Sequence, residues 1–222
     1  MGGINLAKNL IFDFDGTIVD TSEGIIKSMH YAFEKLEIKN LPDSKIKGVI
    51  GPPLDEMIAT LLDTEDKKLI EKGTFHFRQR YSEKGLEELK LYDDVEDTLS
   101  YLHNLNIRLF IVTSKPYEFT KVISENLGII QYFNDISGVN LYGESKSKGH
   151  RIQEIIKKHN LDVKETFMVG DRKEDVIAAN QSGINTIGML YGFGKKVDLE
   201  SAGCKCFCYN FKDLENLSIC SH

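Results

Sequence analysis

No stretch of this chain approaches the ~20 consecutive apolar residues that a bilayer-spanning helix needs. Met1 to Asn9 lacks the apolar core of a secretory signal, so cytoplasmic residence is the expectation. Basic charge is scarce: 28 Lys and Arg stand against 34 Asp and Glu, a formal charge of −6. That balance argues against nucleic acid or an acidic membrane surface as partners, since both need a basic surface. Any anionic substrate must then be held by local cations. Cysteine is sparse and clustered, with Cys204, Cys206, Cys208 and Cys220 close together. A disulfide framework would spread them, so reduced thiols are expected. The Cys204-x-Cys206-x-Cys208 spacing departs from the usual C-x₂₋₄-C of zinc sites. On a strand Cys206 would face away from the other two, and a core strand is the reading. The six histidines show no H-x-x-x-H or clustered spacing and are read as surface or packing residues. There is no internal repeat and no low-complexity tract.

What is present is an ordinary globular composition, 41% hydrophobic and 28% charged. The 222 residues exceed the commonest domain size of about 100–150, so one large domain or one domain with an insertion is expected. Short β-like runs recur at Asn9–Asp13, Arg108–Thr113, Thr166–Gly170, Asn185–Leu190 and Lys205–Tyr209, with helix-patterned segments between most of them. This alternation predicts an α/β fold with a parallel sheet. Helix starts are marked by Pro116, by Ser147 before Lys148, and by the acidic turn Lys173-Glu174-Asp175. Between Thr21 and about Leu91 the rhythm breaks, and Ile25, Ile26, Met29, Phe33 and Leu36 recur at helical spacing. An inserted helical domain over 21–91 is expected to cap the active-site end of a core formed by 1–20 and 92–222.

Asp13-Phe14-Asp15-Gly16-Thr17 follows the apolar run Leu10-Ile11-Phe12, which sets two carboxylates where a buried strand ends. A carboxylate there can attack phosphorus and carry an aspartyl-phosphate, splitting one hydrolysis into two easier steps. Positions i and i+2 of a strand face one side, so Asp15 can protonate the oxygen that leaves as Asp13 attacks. Gly16 lets the chain turn away sharply. In open parallel sheets ligands sit beyond the carboxyl ends of the strands, where Asp13, Thr113 and Asp171 are all expected.

Four motifs in order carry a family likeness: Asp13-Phe14-Asp15-Gly16-Thr17; Ile111-Val112-Thr113-Ser114-Lys115-Pro116; a lysine at Lys148; and Gly170-Asp171-Arg172-Lys173-Glu174-Asp175. Over nearly its whole length the chain resembles the haloacid dehalogenase-like hydrolases, in their phosphoglycolate phosphatase-like branch with a small helical cap. The resemblance implies a Rossmann-like doubly wound parallel sheet with an inserted all-helical cap. It implies Asp13 as nucleophile and Asp15 as general acid and later base, with Thr113 and Lys148 completing the catalytic set. Mg²⁺ suits such a site because it takes one or two carboxylates plus water and substrate phosphate. Its expected ligands are Asp13 and Asp171, the backbone carbonyl of Asp15, and Asp175 nearby. The matching lysine in this branch makes Lys115 a substrate contact, together with Gly16, Thr17 and Ser114.

Several residues keep a second reading. Lys148 opens a helix as the family lysine does, but Lys146 stands two residues away. The Thr113 hydroxyl and Ser114 amide could bind a phosphoryl oxygen, or Thr113 could simply cap a helix. Lys45, Lys47 and Arg78 are cap cations that could meet a second negative group on a substrate. Asp94 stands where relatives often carry glycine. Tyr191-Gly192-Phe193-Gly194 resembles a tail found in phosphoglycolate phosphatases and 5′-nucleotidases, with its glycines read as serving a tight turn. The expected activity is Mg²⁺-dependent hydrolysis of a small phosphorylated metabolite. The alternatives are a phosphotransferase or sugar-phosphate mutase, whose members commonly read D-x-D-G-V where this chain has Thr17, and a non-catalytic binding protein, whose signature would be loss of Asp13 or Asp15.

Overall fold

The computed structural model describes residues 7–39, 41–142 and 146–216; Cys220 lies outside them. The chain forms two compact units, one of Met1–Val19 with Leu91–His222, the other of Asp20–Lys90.

The first unit is built on a six-stranded parallel sheet. Its strands are β1 (Asn9–Phe12), β4 (Arg108–Pro116), β5 (Asp135–Val139), β6 (Thr166–Gly170), β7 (Asn185–Met189) and β8 (Cys206–Cys208). They lie in the order β5-β4-β1-β6-β7-β8, and every pair is parallel. Parallel strands need crossover connections, and α5 (Val95–Asn104), α6 (Tyr117–Asn126), α7 (Lys148–His159), α8 (Lys173–Gln181) and α9 (Lys196–Ser201) lie in those connections. This is the Rossmann-like α/β fold expected from the alternating pattern. The central strands read as continuous apolar runs because both faces are covered: Leu10, Ile11 and Phe12 of β1 are each fully buried, as are Met168 and Val169 of β6. One core cluster joins Ile11, Phe110, Val112 and Met168 of the sheet to Ile152 and Ile155 of α7 and Ala178 and Ala179 of α8.

Strand β1 is where the sheet order reverses, with β4 on one side and β6 on the other. A crevice opens at such a switch point, so Asp13 follows directly from the strand that the topology makes central. β4 departs from expectation. It does not end at Thr113 but runs to Pro116, with regular pairing to β5 broken between Val112 and Pro116. Thr113, Ser114 and Lys115 occupy this irregularity, the kind of bulge that re-aims side chains beside active sites. The edge strand β5 carries no alternating hydrophobic pattern, all five residues being half-buried, and the pattern of the chain did not reveal it. Gly138 in it admits the neighbouring backbone, since a Cβ there would lie 2.6 Å from the Lys115 carbonyl oxygen.

Cys204 and Cys208 are buried free thiols, whereas Cys206 is disulfide-bonded. The expectation of reduced thiols therefore holds for two of the three described cysteines. Among the described residues no helix is long and apolar enough to cross a membrane.

The second unit is helical: α1 (Ser22–Lys35), α2 (Asp43–Gly48), α3 (Leu54–Leu62), α4 (Lys67–Arg80) and a π-helical turn over Tyr81–Gly85. Two-residue strands, β2 (Val19–Asp20) and β3 (Lys90–Leu91), pair with each other where the chain passes between the units. Helix α1 buries Ile25, Met29, Ala32 and Phe33, the apolar stripe read from the sequence. Arg80 grips Glu88 with both terminal nitrogens at 2.7 and 3.0 Å and reaches Ser28 Oγ at 3.1 Å, which ties α1, α4 and the segment entering β3 together. Asp94, the N-cap of α5, has φ +62°, a left-handed conformation that Asp tolerates better than most non-glycine residues.

Gly24 packs where α1 meets the π-helical turn, and a Cβ there would lie 2.5 Å from the Gly85 carbonyl oxygen. Helix propensity alone favours alanine over glycine by about 1 kcal/mol. The backbone clash outweighs it, so Gly24→Ala is expected to destabilise the protein by about 1–3 kcal/mol. Urea unfolding of the two proteins checks the sign, and a more stable variant would contradict this packing.

Candidate active site

Three carboxylates from three places in the chain converge at the carboxyl ends of β1 and β6. Asp13 follows β1, Asp171 follows β6, and Asp175 stands in the first turn of α8. All three are buried, and one oxygen from each lies within 4.8 Å of the others. Such a cluster cannot stay fully ionised in a low-dielectric setting without cations. Burial first, and then the neighbouring Asp175 and Asp13, push the Asp171 carboxyl up to about 7. Asp175 is raised as well, because burial and Asp13 outweigh the opposing pull of Lys148.

Lys148 is the cation the protein itself supplies. Its Nζ lies 2.5 Å from Asp175 Oδ1 and 2.9 Å from Asp13 Oδ1. Burial would lower the ammonium's pKa, but the charges of Asp13 and Asp175 overcome that and raise it. The contact with Asp13 is close without being directed, so Asp13 Oδ1 is buried with an ion pair and no hydrogen bond. Lys146 is elsewhere: it is exposed and paired with Glu154. Helix geometry explains the difference. Ser147 caps α7 by accepting from the His150 amide at 3.2 Å, which makes Lys148 the first helical residue.

Glycines make room for the carboxylates. A Cβ at Gly170 would meet Asp175 Oδ2 at 2.3 Å, and one at Gly16 would meet Asp171 Oδ2 at 2.6 Å. Gly192 and Gly194 crowd Asp171 in the same way, their added Cβ atoms falling 2.3 Å from its Cβ and 1.8 Å from its carbonyl oxygen. Neither takes a positive φ, so close approach to Asp171, more than turn geometry, is what requires glycine there. Gly16 needs both, having φ +85°. The Phe193 amide, between the two tail glycines, donates to Asp171 Oδ2 at 2.8 Å, and the Thr17 hydroxyl donates to Oδ1 at 2.8 Å. Tyr191 in turn donates to the Thr17 carbonyl at 2.5 Å. The Tyr191–Gly194 loop therefore lies against Asp171, a placement its sequence concealed because its contacts to Asp171 are made by backbone. The signal available was two glycines spaced around one residue after a strand.

Asp15 stands apart from the acidic cluster. β1 ends at Phe12, so Asp13 and Asp15 lie just beyond the strand, and Asp13 prolongs the pairing only by its amide's bond to Val169 O at 2.9 Å. The Asp15 carboxylate accepts from Lys115 Nζ at 3.0 and 3.3 Å. Lys115 is itself buried, so a lysine of the β4 bulge meets a carboxylate of the β1 loop. Thr113 is buried and its hydroxyl accepts from the Lys115 amide at 3.2 Å, which stiffens the bulge. Ser114 is half-buried beside it. Lys45 and Lys47 in α2 and Arg78 in α4 belong to the helical unit.

The donor set fits a hard divalent cation. Three buried carboxylates against one lysine leave an excess of negative charge, all candidate ligands are oxygens, and one of them has no hydrogen bond. Mg²⁺ asks for that chemistry. When bound among Asp13, Asp171 and Asp175, it would supply positive charge that offsets the repulsion among these carboxylates and would polarise an oxygen ligand.

An acidic, lysine-bridged cluster thus lies beyond the central strands of a parallel sheet, where ligands of such sheets bind. Residues 10–189 match the haloacid dehalogenase-like hydrolase family. A 5′-nucleotidase of Pseudomonas aeruginosa is 30% identical over 193 residues, 87% of each chain. A phosphoglycolate phosphatase of Vibrio parahaemolyticus is 29% identical over 193 residues, covering 84% of this chain and 85% of its own. A solved structure of a predicted phosphatase from Clostridium acetobutylicum superposes with a TM-score of 0.90 at 32% identity, over 95% of this chain and 97% of that one. The chain belongs to the haloacid dehalogenase-like hydrolases and is an enzyme of their phosphatase kind.

The raised carboxyls give the cluster a pH signature. Without metal, folded Asp171 keeps its proton to about pH 7, whereas the unfolded residue loses it near 3.8. The folded state thus binds more protons across that window, and this group's contribution to stability is lost as pH rises through 7. A cation must displace those protons, which costs up to about 1.4 kcal/mol per pH unit below 7. The rise in melting temperature caused by saturating Mg²⁺ is therefore expected to be larger at pH 8 than at pH 6. Thermal unfolding with Mg²⁺ and with a chelator at both pH values checks this; an equal or larger rise at pH 6 would contradict the assignment.

Proposed function

We propose that the protein is a Mg²⁺-dependent phosphatase of small phosphorylated metabolites that works through an aspartyl-phosphate, in the cytoplasm. The observation that carries this reading is the junction at Asp13. A buried carboxylate oxygen without a hydrogen bond stands at the sheet's switch point, 2.9 Å from a lysine and beside two further carboxylates.

In the first half-reaction an Asp13 oxygen attacks the phosphorus, forming a P–O bond as the ester P–O bond breaks. Asp15 gives its proton to the departing alkoxide oxygen. In the second, water attacks the phosphorus of the aspartyl-phosphate, Asp15 takes the water's proton, and Asp13 and inorganic phosphate are released. Lys148 offsets the charge of the transferring oxygens, and the stiffened Thr113–Ser114 corner offers them a hydroxyl and an amide. Thr17 and the Phe193 amide keep Asp171 turned to the cluster, and the Asp15 backbone carbonyl and Asp175 complete the metal surroundings. Lys115, held on Asp15, is assigned to another part of the substrate, together with Gly16, Thr17 and Ser114.

We assign residues 21–91 the role of a cap whose opening admits substrate and whose closure excludes bulk water, a common use of lids. Its cations, Arg78 above all with Lys45 and Lys47, are candidates to read a second anionic group. Phosphoglycolate and nucleoside monophosphates are the first substrates to test, in line with the names of the relatives.

Asp13→Asn is expected to abolish phosphate release with the circular dichroism spectrum unchanged; release that persists in a folded variant would sink the mechanism. Asp15→Asn should slow both half-reactions, by about 10²-fold or more where proton transfer is rate-limiting. Rapid-quench measurement of phosphoenzyme formation and decay checks this, and unchanged rates would remove Asp15 from the acid–base role. A panel of phosphoglycolate, nucleoside monophosphates, sugar phosphates and p-nitrophenyl phosphate, with and without Mg²⁺, tests the activity itself. Transfer to a sugar without release of phosphate would favour a transferase.

A further inference from the structure

Three residues beyond Lys148 on α7, the buried guanidinium of Arg151 is not used by the mechanism above. Residues i and i+3 share a helix face, so α7 turns both cations towards the carboxyl ends of the strands. Arg151 is 5% exposed, and among the described residues it forms no ion pair. Its charge feels Asp13 and Glu154 favourably, but what it touches are two backbone carbonyls. Nη2 donates to Thr113 O at 2.9 Å, and Nη1 donates to Lys146 O. Its Nε is buried without a partner. A buried, unpaired cation with one orphaned donor is costly, and packing alone would be better served by an apolar side chain.

Its two acceptors explain its use. The irregularity in β4 takes Thr113 out of both ladders: pairing with β1 ends at Ile111, and pairing with β5 skips from Val112 to Pro116. The Thr113 carbonyl, in a buried residue, therefore needs an outside donor. Lys146 belongs to the segment entering α7, two residues before Lys148. One rigid fork thus spans the corner that offers Thr113 and Ser114 and the turn that launches Lys148.

We propose that Arg151 is a positioning residue: it holds the Thr113–Lys115 corner in register with Lys148, so that both reach the same phosphoryl group. This rests on the phosphatase reading given above. Its fork is the working part, since a lysine keeps the charge but loses the planar pair of donors.

The test compares wild type, Arg151→Met and Arg151→Lys in Mg²⁺, reading kcat and KM on p-nitrophenyl phosphate, competitive inhibition by inorganic phosphate, and the melting temperature. Misplacement of a positioned group by about 1 Å costs on the order of 10²-fold. Folded Arg151→Met is therefore expected to lose about 10²-fold in kcat and to bind inorganic phosphate more weakly, with Arg151→Lys still at least about tenfold below wild type. A folded Arg151→Met whose kcat and phosphate inhibition stay within about twofold of wild type overturns the proposal. If Arg151→Met does not fold, Arg151→Lys decides: wild-type kcat in it overturns the proposal, and a folded protein with a low kcat supports it. A wild type that releases no phosphate from any compound of the panel removes the phosphatase reading, and this inference with it, which separates that failure from the loss of Arg151's role alone.

Discussion

Mutual repulsion among Asp13, Asp171 and Asp175 is the constraint around which the rest of this site is arranged. Three buried carboxylates within 4.8 Å are unfavourable by themselves, and every neighbouring feature offsets or accommodates that fact. Lys148 is drawn between two of them. Hydrogen-bond donors from Thr17 and the Phe193 amide hold the third. Glycines at 16, 170, 192 and 194 leave the space that any side chain would close. Holding like charges this close together costs stability, and buried clusters of this kind are characteristic of functional sites.

The sheet makes that concentration possible. Because strand order reverses at β1, the loops after β1, β4 and β6 open onto one crevice. Residues 100 apart, Asp15 and Lys115, meet there, and so do Thr17 and Asp171 across 154 residues. The irregularity in β4 has a related purpose. A strand that continued its ladder would have committed the Thr113 and Lys115 backbone to β5; broken pairing frees that corner to face the crevice, and Arg151 and the Thr113 hydroxyl then satisfy it. A local defect in one layer is thus compensated from the helix packed over it.

Much of the candidate site was legible in the chain because its side chains stand at fixed positions in short motifs. Apolar runs ending in Asp13 and in Gly170-Asp171 mark strand ends by composition alone. The helix opening at Lys148 is announced by Ser147, a cap whose preference is local. The Thr21–Leu91 stretch declares itself helical by its 3.6-residue spacing, which the buried stripe of α1 repeats. Harder to read were features that depend on partners. The half-buried edge strand β5 has no alternation, and Asp135, Ser137 and Gly138 dilute the β-propensity of Ile136 and Val139, so it exists through pairing with β4. The first strand was also read one residue too long, since β1 stops at Phe12, directly before Asp13 and three residues before Asp15.

The amino-acid sequence by itself determined five of the six strands of the large sheet, the four motifs and the helical character of the segment between the first two motifs. All of these rest on short-range periodicity and residue type. Only the tertiary structure decided between Lys148 and Lys146 as the lysine beside Asp13, turned Tyr191–Gly194 from a simple turn into a collar around Asp171, and brought Arg151 onto the Thr113 carbonyl. Those outcomes depend on which backbone groups the sheet leaves unpaired and on how closely two loops approach, and distances between segments far apart in sequence are set by packing, which no local pattern encodes.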